Sequence, residues 1–315
     1  MSGSDTARAL KALVKALRAD GIFVLEHAPF GARTTYRVGG VAAAGVELAS
    51  VEQLEHLGSA LVELEHAPPC FVLGRGSNVL VADAGFPGLL ITLGAGFSWL
   101  REEDAVVELG GGSPLPVMAR RTASLGLAGF TWAVGVPGSV GGAVRMNAGG
   151  HGHGMEERLE AAMLIDLVGG APPSWRRAEE LELGYRTSSV SATQVVVAAR
   201  LRLEPADPKV LGAEIDEIVA WRRAHQPGGQ NAGSVFVNPV DVPAALLIEQ
   251  CGLKGFRFGS ASVSSKHANF IQAQPGGSAD DVYHLMQAVR DRVREQTGVE
   301  LRTEVRLVGF DTMEV

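Results

Sequence analysis

Apolar residues recur three and four positions apart in six stretches of the chain, and this spacing predicts six helices. Ser50 followed by Gln53 marks the start of one helix, and Ser278 followed by Asp281 marks the start of the last. Gly298 is placed to end that last helix. The other helices are predicted after Asp5 (or Ser4), Pro114, Asp207 and Pro243.

Shorter apolar runs between these helices predict strands at residues 71–73, 106–107, 163–167, 195–203 and 299–308. The loop at residues 80–85 contains no helical pattern and is predicted to stay irregular. Mixed helices and strands without an internal repeat indicate an α+β fold.

The proline-rich segment 204–208 is the best candidate for a domain boundary. We therefore predict an N-terminal helix and lead-in over residues 1–30 and a nucleotide-binding domain over residues 31–205. Its two parts cover about 31–95 and 96–205, and a smaller domain covers residues 206–315.

The charge, the cysteines and the apolar stretches of the chain narrow the range of functions that it could have. The net charge of -7 argues against a protein that mainly coats nucleic acid. Cys70 and Cys251 lie far apart, without metal-ligand or redox spacing, and favour a reducing, cytoplasmic setting. The first twenty residues lack the apolar core of a secretory signal. The uncharged stretch 122–144 contains too many glycines for a membrane span.

A glycine-rich loop, Gly74-Arg75-Gly76-Ser77-Asn78-Val79, follows the predicted strand at residues 71–73. It lacks the third glycine and the following helix of a Rossmann fingerprint, and no lysine of the chain follows a glycine as in a P-loop. Two interpretations stay open for this loop: a backbone cradle for a phosphate, or a tight turn.

A second glycine-rich segment runs from Gly135 to Gly150 and contains Pro137, Gly138, Ser139, Gly141, Gly142 and Asn147. It differs from a serine-hydrolase elbow because Pro137 stands where the first glycine belongs. Glycines let the backbone approach a ligand closely. Two such loops with few cations suit a long ligand such as a dinucleotide.

Seven segments in order along the chain carry a resemblance to a known family. They are Thr35-Tyr36-Arg37-Val38-Gly39-Gly40, residues 74–88, residues 135–149, Gly184-Tyr185-Arg186-Thr187-Ser188, Asn231-Ala232-Gly233-Ser234-Val235-Phe236, Lys266-His267-Ala268-Asn269-Phe270-Ile271 and Glu304-Val305. Together they resemble the UDP-N-acetylenolpyruvoylglucosamine reductases of bacterial cell-wall synthesis, in the shorter form of that family.

The resemblance implies an FAD-binding fold of the vanillyl-alcohol-oxidase type, built from two subdomains, followed by a substrate domain. It implies non-covalent FAD, held by the two glycine loops, and NADPH as the hydride donor. The implied reaction reduces the enolpyruvyl ether of a UDP-sugar to UDP-N-acetylmuramate for peptidoglycan. No metal, nucleic acid, membrane insertion or obligate protein partner is expected.

The resemblance also implies three catalytic residues. Arg186 would stabilise the substrate carboxylate, Glu304 would donate a hydrogen bond while protonated, and Ser234 would return a proton to the carbanion. Each has a simpler alternative: a surface ion pair for Arg186, and a serine that closes the turn after Gly233 for Ser234. For Glu304 it is the solvated strand face shared by Glu300, Arg302 and Arg306.

Candidate substrate-binding residues are Tyr185, Asn238, Lys266, His267 and Asn269, with Asn238 the best match for the pyrophosphate. Two departures from the family stand out. Val237 occupies a position where many relatives have lysine, and His151 lies where relatives often have tyrosine. His151 and His153 alone make a poor metal site.

Two rival functions stay open. The first is a flavoenzyme of the same fold that oxidises an alcohol or sugar with tethered FAD, although no convincing tethering motif is present. The second is a non-catalytic sensor of FAD or a UDP-sugar. Release of the flavin on denaturation tests the first, and substrate-dependent consumption of NADPH tests the second.

Overall fold

A computed structural model describes residues 3–310 of the chain. Its α-helices are α1 (Gly3–Ala19), α2 (Val51–Val62), α3 (Leu115–Ser124), α4 (Val140–Arg145), α5 (Pro208–His225), α6 (Ala244–Gln250) and α7 (Ala279–Thr297). Short 3-10 helices cover Gly31–Arg33, Ala95–Phe97, Thr131–Gly135, Met155–Glu157 and Ala178–Leu181.

The strands of the first half are β1 (Val24–Pro29), β2 (Val41–Leu48), β3 (Cys70–Leu73), β4 (Val79–Val81), β5 (Phe86–Leu93), β6 (Leu100–Glu103), β7 (Val106–Gly110), β8 (Leu127–Ala128), β9 (Gly149–Gly150) and β10 (His153–Gly154). Those of the second half are β11 (Leu159–Asp166), β12 (Ser174–Arg177), β13 (Gln194–Arg202), β14 (Glu204–Pro205), β15 (Arg257–Phe258), β16 (Ala261–Val263), β17 (Ile271–Ala273) and β18 (Arg306–Val308).

The predicted helix ends are confirmed where capping residues marked them. Ser50 caps α2 by accepting from the Gln53 N–H at 3.4 Å, and the Gln53 side chain accepts from the Ala49 N–H. Ser278 caps α7, and Gly298 ends it in the left-handed conformation that glycine adopts without strain. Ser4 and Asp5 lie inside α1, so neither precedes it.

The chain divides into two compact units that are not continuous in sequence. The first comprises the described chain up to His27, Ala43–Arg75 and Pro87–Trp221. The second comprises Ala28–Ala42, Gly76–Phe86 and the described chain from Arg222 onward.

The first unit contains two sheets. One has the order β1-β2-β5-β3, with β3 and β5 parallel, and packs on α1 and α2. The other has the order β12-β11-β13-β7-β6 and is antiparallel throughout. Because side chains alternate along a strand, Val195 and Val197 of β13 enter the core beneath α1 and α2. Val196 between them enters the core that contains α3 and α4.

The second unit contains α6, α7, the antiparallel sheet β15-β16-β17 and the parallel pair β4–β18. Val282, Leu285 and Val289 of α7 are buried in its core, as the spacing of apolar residues predicts. Tyr36 and Leu80, from the two short segments that join this unit, lie in the same core. Burial raises the pKa of the Tyr36 phenol.

The division of the chain differs from the predicted boundary at residues 205–206. Helix α5 was expected to open the C-terminal domain, but its Leu211, Ile215 and Ile218 are buried with α3 in the first unit. Residues 28–42 and 76–86 join the second unit because their apolar side chains are buried there. Apolar spacing shows that a helix is buried on one face but not which neighbour covers it.

Two predicted elements are wrong in part. The strand expected over residues 299–308 is regular only in β18, because residues 302–304 pair instead with residues 235–237. The loop expected at residues 80–85 begins inside β4, where β18 supplies the hydrogen-bonding partner. In both cases the partner is distant in sequence.

The uncharged stretch 122–144 folds into the end of α3, β8, a 3-10 turn and part of α4, and most of it is buried. Among the described helices, none combines the length and apolarity that a bilayer crossing requires.

Candidate active site

The first glycine loop, residues 74–79, leaves its backbone donors available. Among residues 3–310, no protein group accepts a hydrogen bond from the N–H groups of residues 74–78. Gly76 adopts φ +65, which a glycine tolerates and which exposes successive N–H groups. These free donors support the predicted phosphate cradle over a tight turn closed by its own hydrogen bonds.

Asn78 at the end of this loop has a structural contact as well. Its side-chain amide donates to the Glu304 carbonyl oxygen at 3.0 Å, and its own carbonyl oxygen accepts from the Arg306 N–H at 3.0 Å. The second half of the loop is therefore joined to the segment that carries Glu304, within the second unit.

The second glycine loop is packed against Gly74, the start of the first loop, within the first unit. Ser139 is buried and caps α4 by accepting from the Gly142 N–H at 3.3 Å. A Cβ atom added at Gly74 would lie 2.4 Å from Ser139 Oγ. Only glycine at residue 74 allows this approach, so the start of the first loop lies beside the Ser139 cap of α4.

The remaining residues of the second loop differ in exposure. Gly135, Gly138 and Ser139 are buried, while Pro137 and Gly142 are exposed. A Cβ atom at Gly141 would lie 3.0 Å from the Gly111 carbonyl oxygen. The loops present backbone donors and glycine surfaces with one exposed cation, Arg75. This donor set fits a pyrophosphate-containing cofactor such as FAD, held mainly by backbone amides.

Asn147, a predicted cofactor ligand, has other partners for its side chain. It is buried at φ +39, and its amide donates to Glu156 Oε2 and, at 2.8 Å, to the Gly184 carbonyl oxygen. Its Oδ1 accepts from the Glu156 N–H at 3.2 Å. Asn147 thus links the end of the glycine loop to the turn that carries Arg186.

Arg186 lies in a tight turn in which Gly184 and Thr187 exchange both backbone hydrogen bonds. It adopts φ +60, an uncommon conformation for a residue with a side chain. Its guanidinium donates to the Gly149 carbonyl oxygen at 2.9 Å and lies 5.3 Å from the ring of the exposed Tyr185. The half-buried cation is therefore oriented by backbone.

Ser234 and Glu304 lie on neighbouring segments of the second unit. The Glu304 N–H donates to the Val235 carbonyl oxygen at 2.8 Å, and Phe236 bridges to Thr303. Within the described chain, no hydrogen bond joins the Ser234 hydroxyl to another residue, so this serine does not close the turn after Gly233.

If Glu304 lay on a solvated strand face with Glu300, Arg302 and Arg306, all four side chains would be exposed to a similar degree. The structure shows a difference in exposure instead. Glu300, Arg302 and Arg306 are exposed, whereas Glu304 is half-buried. The strand alternation that predicted a common polar face is lost where residues 302–304 pair with residues 235–237. Glu304 is therefore less exposed to solvent than these three charged neighbours.

Three of the predicted substrate-binding side chains also contact the protein itself. Asn238 Oδ1 accepts from the Ala244 N–H at 3.0 Å, at the start of α6. Lys266 Nζ donates to the Arg223 carbonyl oxygen at 2.5 Å, in the last turn of α5. His267 packs on Phe270, and burial lowers the pKa of its imidazole, a shift that Lys254 reinforces and hydrogen bonding opposes.

Asn269 has a role that the sequence did not reveal. It is buried, and its amide makes two hydrogen bonds to the backbone of Phe236, at 2.9 Å and 2.8 Å. The two residues are 33 positions apart, so no local pattern connects them. Its predicted contact with substrate pyrophosphate does not fit this environment.

The two loop histidines also have separate environments. His151 packs edge-on against Trp221 of α5, with ring centroids 5.1 Å apart. His153 pairs with Glu157. In the part of the chain that the structure describes, no three His, Cys, Asp or Glu side chains are grouped as metal ligands.

The glycine loops fit a dinucleotide such as FAD, and comparison with known proteins places the chain among flavin-binding oxidoreductases. Residues 42–169 match a family model described as an FAD binding domain. Residues 225–308 match the C-terminal domain of UDP-N-acetylenolpyruvoylglucosamine reductase.

Similar proteins cover nearly the whole chain. UDP-N-acetylenolpyruvoylglucosamine reductase from Parasynechococcus marenigrum (strain WH8102) is 43% identical over 290 residues, covering 90% of this chain and 95% of that protein. The reductase from Bacillus subtilis (strain 168) is 37% identical over 289 residues, covering 91% and 94%. The crystal structure of the Thermus caldophilus reductase matches with a TM-score of 0.77 and 33% identity, covering 91% and 98%.

The chain belongs to the UDP-N-acetylenolpyruvoylglucosamine reductase family. The predicted family, the α+β fold with its FAD-binding domain, and the flavoenzyme class are confirmed. FAD is accordingly its cofactor. NADPH as the hydride donor remains a prediction. The roles of individual residues remain predictions.

Proposed function

We propose that this chain reduces the enolpyruvyl ether of UDP-N-acetylglucosamine to UDP-N-acetylmuramate, with Arg186, Ser234 and Glu304 as its catalytic residues. FAD, when bound, supplies the hydride that it has received from NADPH. Residues 74–79 and 135–142 would hold the cofactor through the backbone donors and close glycine contacts described above.

Ser234 would supply the proton. When a hydride adds to the terminal carbon of the enolpyruvyl double bond, negative charge develops on the carbon beside the carboxylate. A hydroxyl is a weak acid, but it can protonate so basic a carbon when it is positioned against it. The Ser234 hydroxyl is half-buried and uses no protein partner within the described chain, so its proton is available.

Glu304 would stabilise the same charge if its carboxyl is protonated and donates a hydrogen bond. An ionised carboxylate would repel the developing carboxylate charge. Its position supports the role, because the Glu304 N–H bonds to Val235, the residue after Ser234.

Arg186 would pair with the substrate carboxylate. A guanidinium stays charged and its planar fork matches a carboxylate. The hydrogen bond to the Gly149 carbonyl oxygen uses one nitrogen, Nη2, and fixes the direction of the group. Such orientation before substrate arrives reduces the cost of organising the transition state.

Asn238, Lys266, His267 and Tyr185 remain candidates for the UDP part of the substrate. Lys266 and His267 adjoin the end of α5, where Arg222 and Arg223 add positive charge in the second unit. Because Val237 stands where many relatives have lysine, these groups would supply the positive charge that the pyrophosphate requires. We propose a cytoplasmic reaction, which the separated cysteines favour, without nucleic acid, membrane insertion or a protein partner.

The observation that carries this assignment is the pairing of residues 302–304 with residues 235–237. A rapid-mixing experiment on Ser234→Ala tests it. Reduction of the flavin by NADPH is expected at the wild-type rate, while re-oxidation by the enolpyruvyl substrate should slow by about a thousandfold or more.

Ser191→Ala is a suitable control, because Ser191 is an exposed surface serine of the first unit. It should leave both half-reactions unchanged. Re-oxidation of Ser234→Ala at the wild-type rate would remove Ser234 from the mechanism. Failure of the enolpyruvyl substrate to re-oxidise the reduced flavin of the wild-type protein, under anaerobic conditions, would contradict the assigned substrate.

A further inference from the structure

The buried side chain of Asn269 makes an uncommon pair of hydrogen bonds. Its Oδ1 accepts from the Phe236 N–H at 2.9 Å, and its Nδ2 donates to the Phe236 carbonyl oxygen at 2.8 Å. The Asn269 carbonyl oxygen also accepts from the Val235 N–H at 2.8 Å. One residue therefore satisfies three backbone groups of the two residues that follow Ser234.

These three bonds replace a strand partner. Phe236 is 2% exposed and Asn269 is 3% exposed, so backbone groups left unpaired here would be costly. On the opposite side, residues 302–304 supply the Glu304 N–H to Val235 and the bridge to Phe236. The segment after Ser234 is thus held between Asn269 and the segment that carries Glu304.

The residue before Ser234 is held by one hydrogen bond, from the Gly233 N–H to Asn231 Oδ1 at 3.0 Å. Gly233 adopts φ +77, and nothing lies within 4 Å of a Cβ added there. Glycine is conformationally permissive, so this single bond constrains the backbone less than the three bonds to residues 235 and 236 do. The position of Ser234 relative to Glu304 then depends on the hydrogen bonds that hold residues 235 and 236.

We infer that Asn269 is a positioning residue for proton transfer: it fixes the backbone that sets the spacing of Ser234 and Glu304. The inference rests on the proposed role of Ser234. The two bonds to Phe236 require a side chain with both an acceptor and a donor, which the amide of Asn269 supplies at every pH. Displacement of a reacting group by about 1 Å can cost about a hundredfold in rate.

Asn269→Asp tests this inference. In this variant the ionised carboxylate accepts from the Phe236 N–H but repels the Phe236 carbonyl oxygen, whereas the protonated acid can donate to it. We expect re-oxidation by substrate to slow by about ten- to a hundredfold at pH 8 and to recover as the pH falls and the buried acid protonates. Reduction by NADPH should be unchanged, and the solvent deuterium isotope effect on re-oxidation should rise.

Asn269→Ala provides the companion measurement, because alanine leaves room for water and cannot titrate. Its re-oxidation should be slow at every pH, without the recovery at low pH. Amide hydrogen exchange at Val235 and Phe236 should accelerate in both variants, and this readout does not depend on bound flavin. If Asn269→Asp does not fold, Asn269→Ala alone decides the question, by slowed re-oxidation beside an unchanged reductive half-reaction.

Asp281→Ala is the matched control, because Asp281 also holds a backbone turn of the second unit, through the Ser260 N–H at 2.7 Å. It should lower stability without changing either half-reaction or its pH profile. Wild-type re-oxidation in Asn269→Ala would overturn the inference while Ser234→Ala remained blocked. Unimpaired re-oxidation in Ser234→Ala would instead refute the proposed role of Ser234.

Discussion

The segment that follows the first glycine loop is attached to the start of α7 by Asp83. Its carboxylate accepts from the Ala279 N–H at 3.0 Å, the Asp280 N–H at 3.3 Å and the Ser278 hydroxyl at 2.5 Å. In return, the Asp83 N–H donates to Asp280 Oδ1 at 3.1 Å. Asp83 therefore acts as a cap supplied by a segment almost two hundred residues away in sequence.

Asp83→Ala removes these acceptors and a negative charge at the positive end of a long helix. Loss of a cap costs about 1 kcal/mol, and loss of the charge costs about 0.5 kcal/mol more at an exposed site. A total of about 1.5 kcal/mol corresponds to a fall in melting temperature of about 2 °C for a chain of this size. Asp83→Asn keeps an acceptor and should lose only about 0.5 kcal/mol.

Calorimetry on the FAD-free protein measures these shifts without a contribution from ligand binding. Asp291→Ala is the control, because it removes an exposed carboxylate of α7 that pairs only with Arg294 of the same helix among the contacts described. Exposed pairs of this kind contribute little. A melting temperature of Asp83→Ala equal to that of Asp291→Ala would refute the capping role.

Two further predictions concern the glycine loops and the pH dependence of stability. Gly74→Ala should force Ser139 Oγ from its capping position and reduce bound FAD measured by absorbance, and Ser139→Ala in the same chain should restore part of the loss. Because burial lowers the pKa of His267 in the folded state, the unfolded chain binds this proton more readily. Stability should therefore be retained above the ordinary imidazole pKa and lost as the pH falls through the lowered one. The free energy of unfolding, measured with urea between pH 7 and pH 5, should change less with pH in His267→Gln than in the wild-type protein. An equal change in both proteins would contradict this prediction.

The sequence determined features that depend on neighbours in the chain. Ser50 and Ser278 begin helices because a side-chain oxygen accepts from an N–H three residues later, and Gly298 ends one because it tolerates a positive φ. The density of glycine in residues 74–79 and 135–142 marked both candidate cradles for the same local reason. Ordered motifs then identified the family.

Only the tertiary structure decided which segments pair across long separations. It assigned α5 to the first unit and residues 76–86 to the second, because burial depends on which apolar surfaces meet. It also distinguished Glu304 from its charged neighbours and gave Asn269 a backbone partner 33 residues away. Periodicity records that a residue faces inward or outward, whereas the identity of its partner is fixed by packing between distant segments.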